Sequence, residues 1–260
     1  MVQSGAPTVW GMNTPFTYDF GYTWVITWAP AIPLAIFGAL ALAAYYFGWK
    51  RWITVTSGAL AAWSIFVLVF MHAVFRINLP MELPTEQFLP SGGEVVDVGA
   101  GSGRFSTGLL LARPNARVTA IDIYDGFWGI DRNTPERFMR NASIAGVANR
   151  ATAQVGDARA IPLADVAYDG VISSYAIDHL RRAEVPTALS EVKRILKPGG
   201  EFLLAVVHID WWMMLVSPVL AHHSSADPER WHQMLTDAGF EIKEQGTSPG
   251  SLHFLARKGS

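Results

Sequence analysis

The stretch Glu94-Val95-Val96-Asp97-Val98-Gly99-Ala100-Gly101-Ser102-Gly103-Arg104 decides how this chain is read. Its first five residues form a short, mostly β-branched run, the composition of a strand buried on both faces. Three glycines at alternate positions then let the backbone turn tightly against a ligand, and a helical pattern resumes over Arg104–Ala112. Asp97 places a carboxylate near the carboxyl end of the strand. The spacing Gly-x-Gly-x-Gly after an acid differs from the Gly-x-Gly-x-x-Gly that seats a pyrophosphate on a helix end. It points away from a dinucleotide and towards a small ligand with an amino-acid tail.

Upstream of this stretch the composition changes. Half of the residues are apolar and only 16% are charged, against about a quarter charged in soluble domains. The imbalance is concentrated before residue 80. No charged side chain lies between Tyr22 and Lys50, or between Trp52 and Phe75. At about 1.5 Å per residue each run is long enough to cross a hydrocarbon layer of roughly 30 Å. Residues 22–79 are therefore expected to form a transmembrane helical hairpin, with residues 1–21 lying at the membrane surface and Pro80, Pro84 and Pro90 with Ser91-Gly92-Gly93 making a stiff linker over 80–93. The first run lacks a basic region before it and is too long for a signal-peptide core, so it is expected to be retained. Trp24, Trp28, Tyr45, Tyr46 and Trp49 are spaced as an interfacial belt, and Pro30 and Pro33 should kink the helix near its start. Ala35, Ala39 and Ala43 against Gly58 and Ala62 would let two antiparallel helices approach, although alanine also simply suits helices. His72 has two readings, a helix-contact histidine or a ligand.

The charge pattern leaves orientation contested. Lys50 and Arg51 in the loop between the runs favour a cytoplasmic loop, whereas the cofactor argued below favours a cytoplasmic globular part. The cofactor argument is given precedence, so the protein is expected in the cytoplasmic membrane with its catalytic domain in the cytoplasm. A net charge of −2 without a basic stripe disfavours nucleic acid as a partner. The absence of cysteine excludes a disulfide framework, a thiolate zinc site and a cysteine nucleophile.

Downstream, apolar runs alternate with helical patterns, which predicts a mostly parallel sheet covered on both faces. Strands are expected at 94–98, 117–121, 151–155, 168–173, 201–207, 240–244 and 252–257, with helices at 103–112, 134–146, 184–196 and 228–238. The last two strands have little between them and suggest an antiparallel edge. Asp122 ends the second strand about 20 residues beyond the last glycine, where a carboxylate can accept ribose hydroxyls. Gly156-Asp157-Ala158 follows the third strand and can bond an exocyclic amine of adenine. Asp169 reads as structural. Leu196-Lys197-Pro198-Gly199-Gly200 is a helix stop with a tight turn before the fifth strand.

Together these motifs resemble the class I S-adenosylmethionine-dependent methyltransferases, especially the branch that includes quinone and sterol methyltransferases. The resemblance covers about residues 93–207 in register. It implies a Rossmann-like α/β fold, a seven-stranded doubly wound sheet over 94–260 with a reversed hairpin at one edge, and S-adenosyl-L-methionine as cofactor. Carried over by position, Asp97, Gly99, Ala100, Gly101 and Gly103 would hold the methionine part and Asp122 the ribose. Asp157 would take the adenine, with Ile123 and Ala158 flanking its ring.

In such a sheet the methyl acceptor sits beyond the carboxyl ends of the strands. The loops there offer Tyr124, Phe127 and Trp128, then Tyr175, Asp178 and His179, then His208, Asp210, Trp211 and Trp212. Tyr175, Asp178, His179 and His208 are the candidates for orienting the acceptor or handling its proton. No metal ligand set is evident; adjacent His222 and His223 point in different directions. The apolar stretch Trp211–Ala221 reads as a lid or as a second membrane contact. Two acceptor classes remain open: a membrane amphiphile such as a quinone, prenol or lipid head group, or a polar nitrogen compound such as the imidazole of a thiol- or seleno-histidine betaine. The alternative of another class is a membrane-anchored scaffold that binds the cofactor without catalysis. Membrane lipids are expected partners, as is a second copy through the transmembrane helices.

Overall fold

A computed structural model describes residues 18–125, 131, 133–216 and 227–259. Residues 1–17 of the expected surface segment, Phe127, Trp128, His222, His223 and the end of the 211–221 stretch lie outside the described residues.

The seven strands expected from the sequence form one sheet. They are β1 (Glu94–Val98), β2 (Arg117–Asp122), β3 (Ala151–Val155), β4 (Tyr168–Ser174), β5 (Leu196–Val207), β6 (Phe240–Ser248) and β7 (Ser251–Lys258). Their order is β3-β2-β1-β4-β5-β7-β6, parallel except for β7, which runs antiparallel to both neighbours. The chain leaves β1 towards β2 and returns to pair β4 on its other side. The strand order thus reverses at β1, and a crevice opens at its carboxyl end.

Alternate residues feed two cores. Val96, Val98, Val171, Phe202, Leu204 and Phe254 meet the apolar face of α6 (Val185–Ile195) and Trp231 and Leu235 of α8 (Pro228–Asp237). Val95, Ala120, Ile172, Leu203 and Leu255 meet α4 (Arg104–Ala112) and α5 (Pro135–Ile144). Helix α5 starts where Thr134 accepts the Arg137 amide and Pro135 supplies a preset φ. Two strands run longer than the sequence reading, β6 to Ser248 and β5 back to Leu196. Leu196 already pairs with Tyr168, and Lys197–Gly200 bulge out before Glu201 pairs with Gly170, with Gly199 at φ +73°. At this amino-terminal end of β1 and β4, Asp169 accepts from Lys197 Nζ (2.6 Å) and from the Glu94 amide (2.9 Å), a structural role.

The expected linker is a packed strap. Phe88 and Leu89 lie over Gly170, and Phe88 is fully buried. Arg113 donates to the carbonyls of Phe88 (3.0 Å) and Glu86 (2.8 Å), Leu89 N to Glu201 (2.9 Å), and Thr85 Oγ1 to Glu244 (2.7 Å). Met81, Leu83 and Leu89 join the core on the α4 side. Prolines keep the strap extended while these apolar side chains bury it against the sheet.

Before the strap come α1 (Trp24–Thr27), α2 (Ala31–Tyr46) and α3 (Arg51–Val69), which runs on through a π-helical turn over Phe70–Val74. The first apolar run does not form one kinked span. It breaks at Trp28–Pro30 because proline has no amide to continue the ladder, leaving a helix of 16 residues. Among the described residues one helix, Arg51–Val74 with 24 residues, is long and apolar enough to cross a membrane by length and composition. α2 and α3 do pack as neighbours; Ala44, Ser57, Ala61 and Ser64 are buried, Ala43 and Gly58 half-buried, and Ala35, Ala39 and Ala62 face outward. His72 takes the helix-contact reading: Nε2 lies 3.0 Å from the Thr27 carbonyl, Nδ1 3.3 Å from Asn78 Nδ2, and its ring packs on Trp28. Residues 18–22 do not lie apart either. Tyr18 and Phe20 are buried, Asp19 pairs with Arg137 at 3.2 Å, and Asn141 donates to the Asp19 carbonyl at 2.8 Å.

A methyl group on Gly108 of α4 would stand 1.7 Å from the Met81 carbonyl oxygen. Gly108→Ala is therefore expected to destabilise the protein by about 1–3 kcal/mol through forced displacement of the strap. Urea unfolding checks this; an unchanged midpoint would show that the strap is not packed as described.

Candidate active site

The turn after β1 is held from β2. Gly99 N and Ala100 N both donate to the Ile121 carbonyl (2.8 and 3.1 Å), and Gly101 N donates to Asp122 Oδ2 (2.8 Å). Gly99, Gly101 and Gly103 all have positive φ, the left-handed region that side chains disfavour. A Cβ on Gly99 would lie 2.1 Å from that of Ala176, and one on Gly103 would lie 2.6 Å from the Phe138 ring. At Gly101 a Cβ would meet nothing within 4 Å, so this face of the turn opens on free space.

Two carboxylates flank the turn, Asp97 before it and Asp122 bonded to it. Asp97 is buried; Oδ2 accepts the Ser106 hydroxyl, and Oδ1 has no partner. Burial raises its pKa to about 7, the Asp122 charge adds to the rise, and the Ser106 bond opposes it. Asp122 Oδ1 accepts from Tyr124 N (2.7 Å) and Asn133 Nδ2 (3.2 Å). Its pKa is raised by burial against these bonds. With the Gly101 amide, three of the roughly four acceptor positions of Asp122 are filled, leaving room for one further donor. Tyr124, at φ +52°, buries a hydroxyl with no partner, and burial beside Asp122 and Asp97 raises its pKa.

Asp157 lies farther out, beyond β3. Arg159 grips it through Nε (2.9 Å) and Nη2 (2.6 Å) and reaches Glu184 through Nη1 (2.6 Å), which lowers the Asp157 pKa. Ile123 is exposed, and Ala158 packs against the α6-side core. Asn133 and Arg159 were not singled out in the sequence. A polar residue just before a capped helix, and an arginine two residues after an acid, were the available signals.

All four candidates for acceptor chemistry lie at the carboxyl ends of β4 and β5. Tyr175, also at positive φ, has its pKa raised by burial, with the Ser251 hydroxyl opposing the rise. Asp178 Oδ2 accepts the Val207 amide at 2.9 Å and Oδ1 has no partner; burial raises its pKa and His179 opposes the rise. His179 is exposed on a 3-10 turn, and His208 N donates to the Gly250 carbonyl at 3.1 Å. Of the four, Tyr175 alone lines a cavity of about 290 Å³ between the root of α3, the strap and the β6–β7 turn. His253 of β7 also lines it. The sequence reading passed over His253, though a histidine among Leu252, Phe254 and Leu255 was a signal.

Residues 95–200 match the methyltransferase domain family. This segment is an S-adenosylmethionine-dependent methyltransferase domain. The chain is 34% identical over 151 residues to malonyl-(acyl-carrier protein) O-methyltransferase of Methylococcus capsulatus, covering 58% of this chain and 50% of that protein. It is 32% identical over 115 residues to demethylmenaquinone methyltransferase of Symbiobacterium thermophilum, covering 43% and 41%. The chain thus spans about half the length of the curated relatives it matches. A solved SAM-dependent methyltransferase of Methanosarcina mazei has the same fold, with a TM-score of 0.52 at 22% identity over 69% of this chain and 99% of that one.

The methyltransferase domain carries an electrostatic cost at Asp97. Its folded pKa of about 7 lies above the ordinary 3.8, so between these values the folded state binds more protons and stability falls as pH rises. Asp97→Asn should flatten that slope and raise stability at about pH 8 by on the order of 1 kcal/mol or more. Thermal melts from about pH 4 to pH 8 measure it; an unaltered slope would remove Asp97 as its source.

Proposed function

We propose that the chain is a membrane-anchored enzyme that transfers a methyl group from S-adenosylmethionine to a small molecule. The carrying observation is that Asp97, Asp122 and Asp157 stand at the carboxyl ends of three adjacent strands around a glycine turn with one open face. The cofactor supplies an electrophilic methyl on a sulfonium; the chain supplies orientation, exclusion of water and proton handling. In this reading the unpartnered Asp97 Oδ1 accepts from the ammonium of the methionyl part, and Gly99, Ala100, Gly101 and Gly103 pass beneath it. Asp122 accepts a ribose hydroxyl, Ile123 and Ala158 flank the adenine, and Asp157 borders its amine. Tyr175, Asp178, His179 and His208 stand on the acceptor side.

Membrane anchoring is supported by the exposure of the helices. Only 28% of the apolar window in Arg51–Val74 is buried, whereas a core helix of a soluble protein hides most of such a surface. Trp24, Ile36, Leu42, Trp52, Val55, Ile65 and Val69 all face outward. At about 1.5 Å per residue, α2 is near 24 Å long, short of a roughly 30 Å hydrocarbon layer, so α3 is the spanning element and α2 its shorter companion. The cofactor requires the domain in the cytoplasm. An amphiphilic acceptor is favoured over a polar nitrogen compound because Val74 and Phe75, at the root of α3, form part of the cavity wall.

Asp122→Ala is expected to weaken S-adenosylmethionine binding by about 1–3 kcal/mol, through loss of charge-assisted hydrogen bonds to ribose and to the Gly101 amide. Calorimetry on detergent-solubilised protein reads it, and an unchanged affinity would remove Asp122 from the site. With methyl-labelled cofactor and total cell extract, the label should partition into organic solvent. Label confined to the aqueous phase would overturn the amphiphile.

A further inference from the structure

Trp63 stands near the middle of the 24-residue helix that runs from Arg51 to Val74. Tryptophans of spanning helices gather at the two membrane surfaces, where the indole N–H can meet water. At about 1.5 Å per residue Trp63 lies roughly 17 Å from either end of its helix, so in a bilayer its N–H would find no water. It finds protein instead. Nε1 donates at 2.7 Å to the Leu215 carbonyl in α7 (Trp211–Val216), the short helix that follows β5. Leu215 belongs to the last turn of α7, where carbonyls lack an intrahelical partner. The bond thus joins a donor and an acceptor that hydrocarbon would otherwise leave unsatisfied. It is not shielded by protein, and in water it would compete with solvent for little gain.

The rest of α7 is arranged for the same depth. At its start Asp210 accepts the amides of Met213 (2.8 Å) and Gly250 (3.1 Å), which ties the helix to the β6–β7 turn. Trp212 stacks on Phe70 and Phe66 with ring centroids 5.9 and 6.3 Å apart, and Val216 is buried in one cluster with Val67 and Phe70. The contacts step back from Phe70 to Trp63 as α7 advances from Trp212 to Leu215, so α7 climbs along α3 from its root towards its midpoint. All six of its residues are apolar. Trp211 is 58% exposed, Met214 54% and Leu215 44%, as uncovered as Ile65 and Val69 of α3 at 50% and 52%.

We propose that α7 is a part of the catalytic domain inserted in the bilayer. It lies in the hydrocarbon against α3, reaches mid-membrane at the Trp63–Leu215 bond that holds it there, and meets lipid acyl chains with Met214 and Leu215. Trp211, at the sheet end, stays nearer the head groups. The inference rests on the reading of α3 as a spanning helix and adds that the carboxyl edge of the sheet itself enters the membrane.

The chain has no cysteine, so single cysteines report on chosen positions. Met214→Cys and, on α3, Ile65→Cys are labelled in detergent with a nitrobenzoxadiazole fluorophore, and the full-length protein is reconstituted into phosphatidylcholine–phosphatidylglycerol vesicles. A nitroxide deep in the acyl chain should quench the Met214 probe about twofold more than a head-group nitroxide, and aqueous iodide should leave it unquenched. Trp63→Phe removes the donor and keeps an aromatic ring, and it should move the Met214 probe towards the head-group quencher. Quenching of the Met214 probe by iodide overturns the insertion, as does quenching by neither agent, which a second protein surface over this face would give. An unmoved probe in Trp63→Phe overturns the bond that holds α7. Iodide quenching of the Ile65 probe would instead sink the spanning reading of α3, so the two failures are distinguishable.

Discussion

One carbonyl, that of Ile121, accepts two successive amides from the turn after β1, and the neighbouring Asp122 accepts a third through its side chain. This clamp fixes the glycine turn, and the crevice depends on it. Without it three left-handed residues in five would not hold a single path. The same clamp brings the Asp122 carboxylate close to buried Asp97, and the repulsion adds to the desolvation cost there. A site that accumulates negative charge away from water is destabilising by itself and is suited to a ligand that brings positive charge.

Arg104 extends the clamp to the rest of the molecule. It is the first residue of α4, immediately after the glycine turn, and its guanidinium donates to the carbonyls of Leu79 (3.0 Å) and Phe75 (2.8 Å) and sits over the Phe75 ring. Its own carbonyl accepts from Met81 N at 3.0 Å. The end of the apolar hairpin is therefore bonded to the residue that closes the site. On the other side α7 (Trp211–Val216) lies against α3, with Trp212 stacked on Phe66 and Phe70 and Trp63 Nε1 donating to the Leu215 carbonyl at 2.7 Å. The hairpin thus meets the carboxyl end of the sheet from two directions.

Much of this was legible in advance. The β-branched runs placed strands β1, β2 and β4 within a residue, because a strand buried on both faces admits little else. The acids at 97, 122 and 157 fell at strand ends because a parallel sheet puts all its carboxyl termini on one edge. Other features were misread for identifiable reasons. The strap looked like a linker because its prolines were visible and the pocket that buries Phe88 was not. The alanine stripe of α2 looked like a helix contact because spacing reports a face without its direction; Ala35 and Ala39 face outward and Ala44 is the buried residue of that helix. His253 escaped notice because only the β6–β7 register sets Glu244 beside it.

The local order of residues was enough to establish an alternating α/β chain, an acid-tipped glycine turn and a separate apolar segment, since periodicity, backbone freedom and hydropathy are properties of neighbours in sequence. Which carboxylate keeps an unfilled oxygen, and which helix is long enough to span a bilayer once Pro30 has broken the first run, were settled by packing. Burial and hydrogen-bond saturation are set by groups distant along the chain, and for those the Asp97–Gly103 turn needed the β2 clamp, the strap and the returning hairpin of β6 and β7 around it.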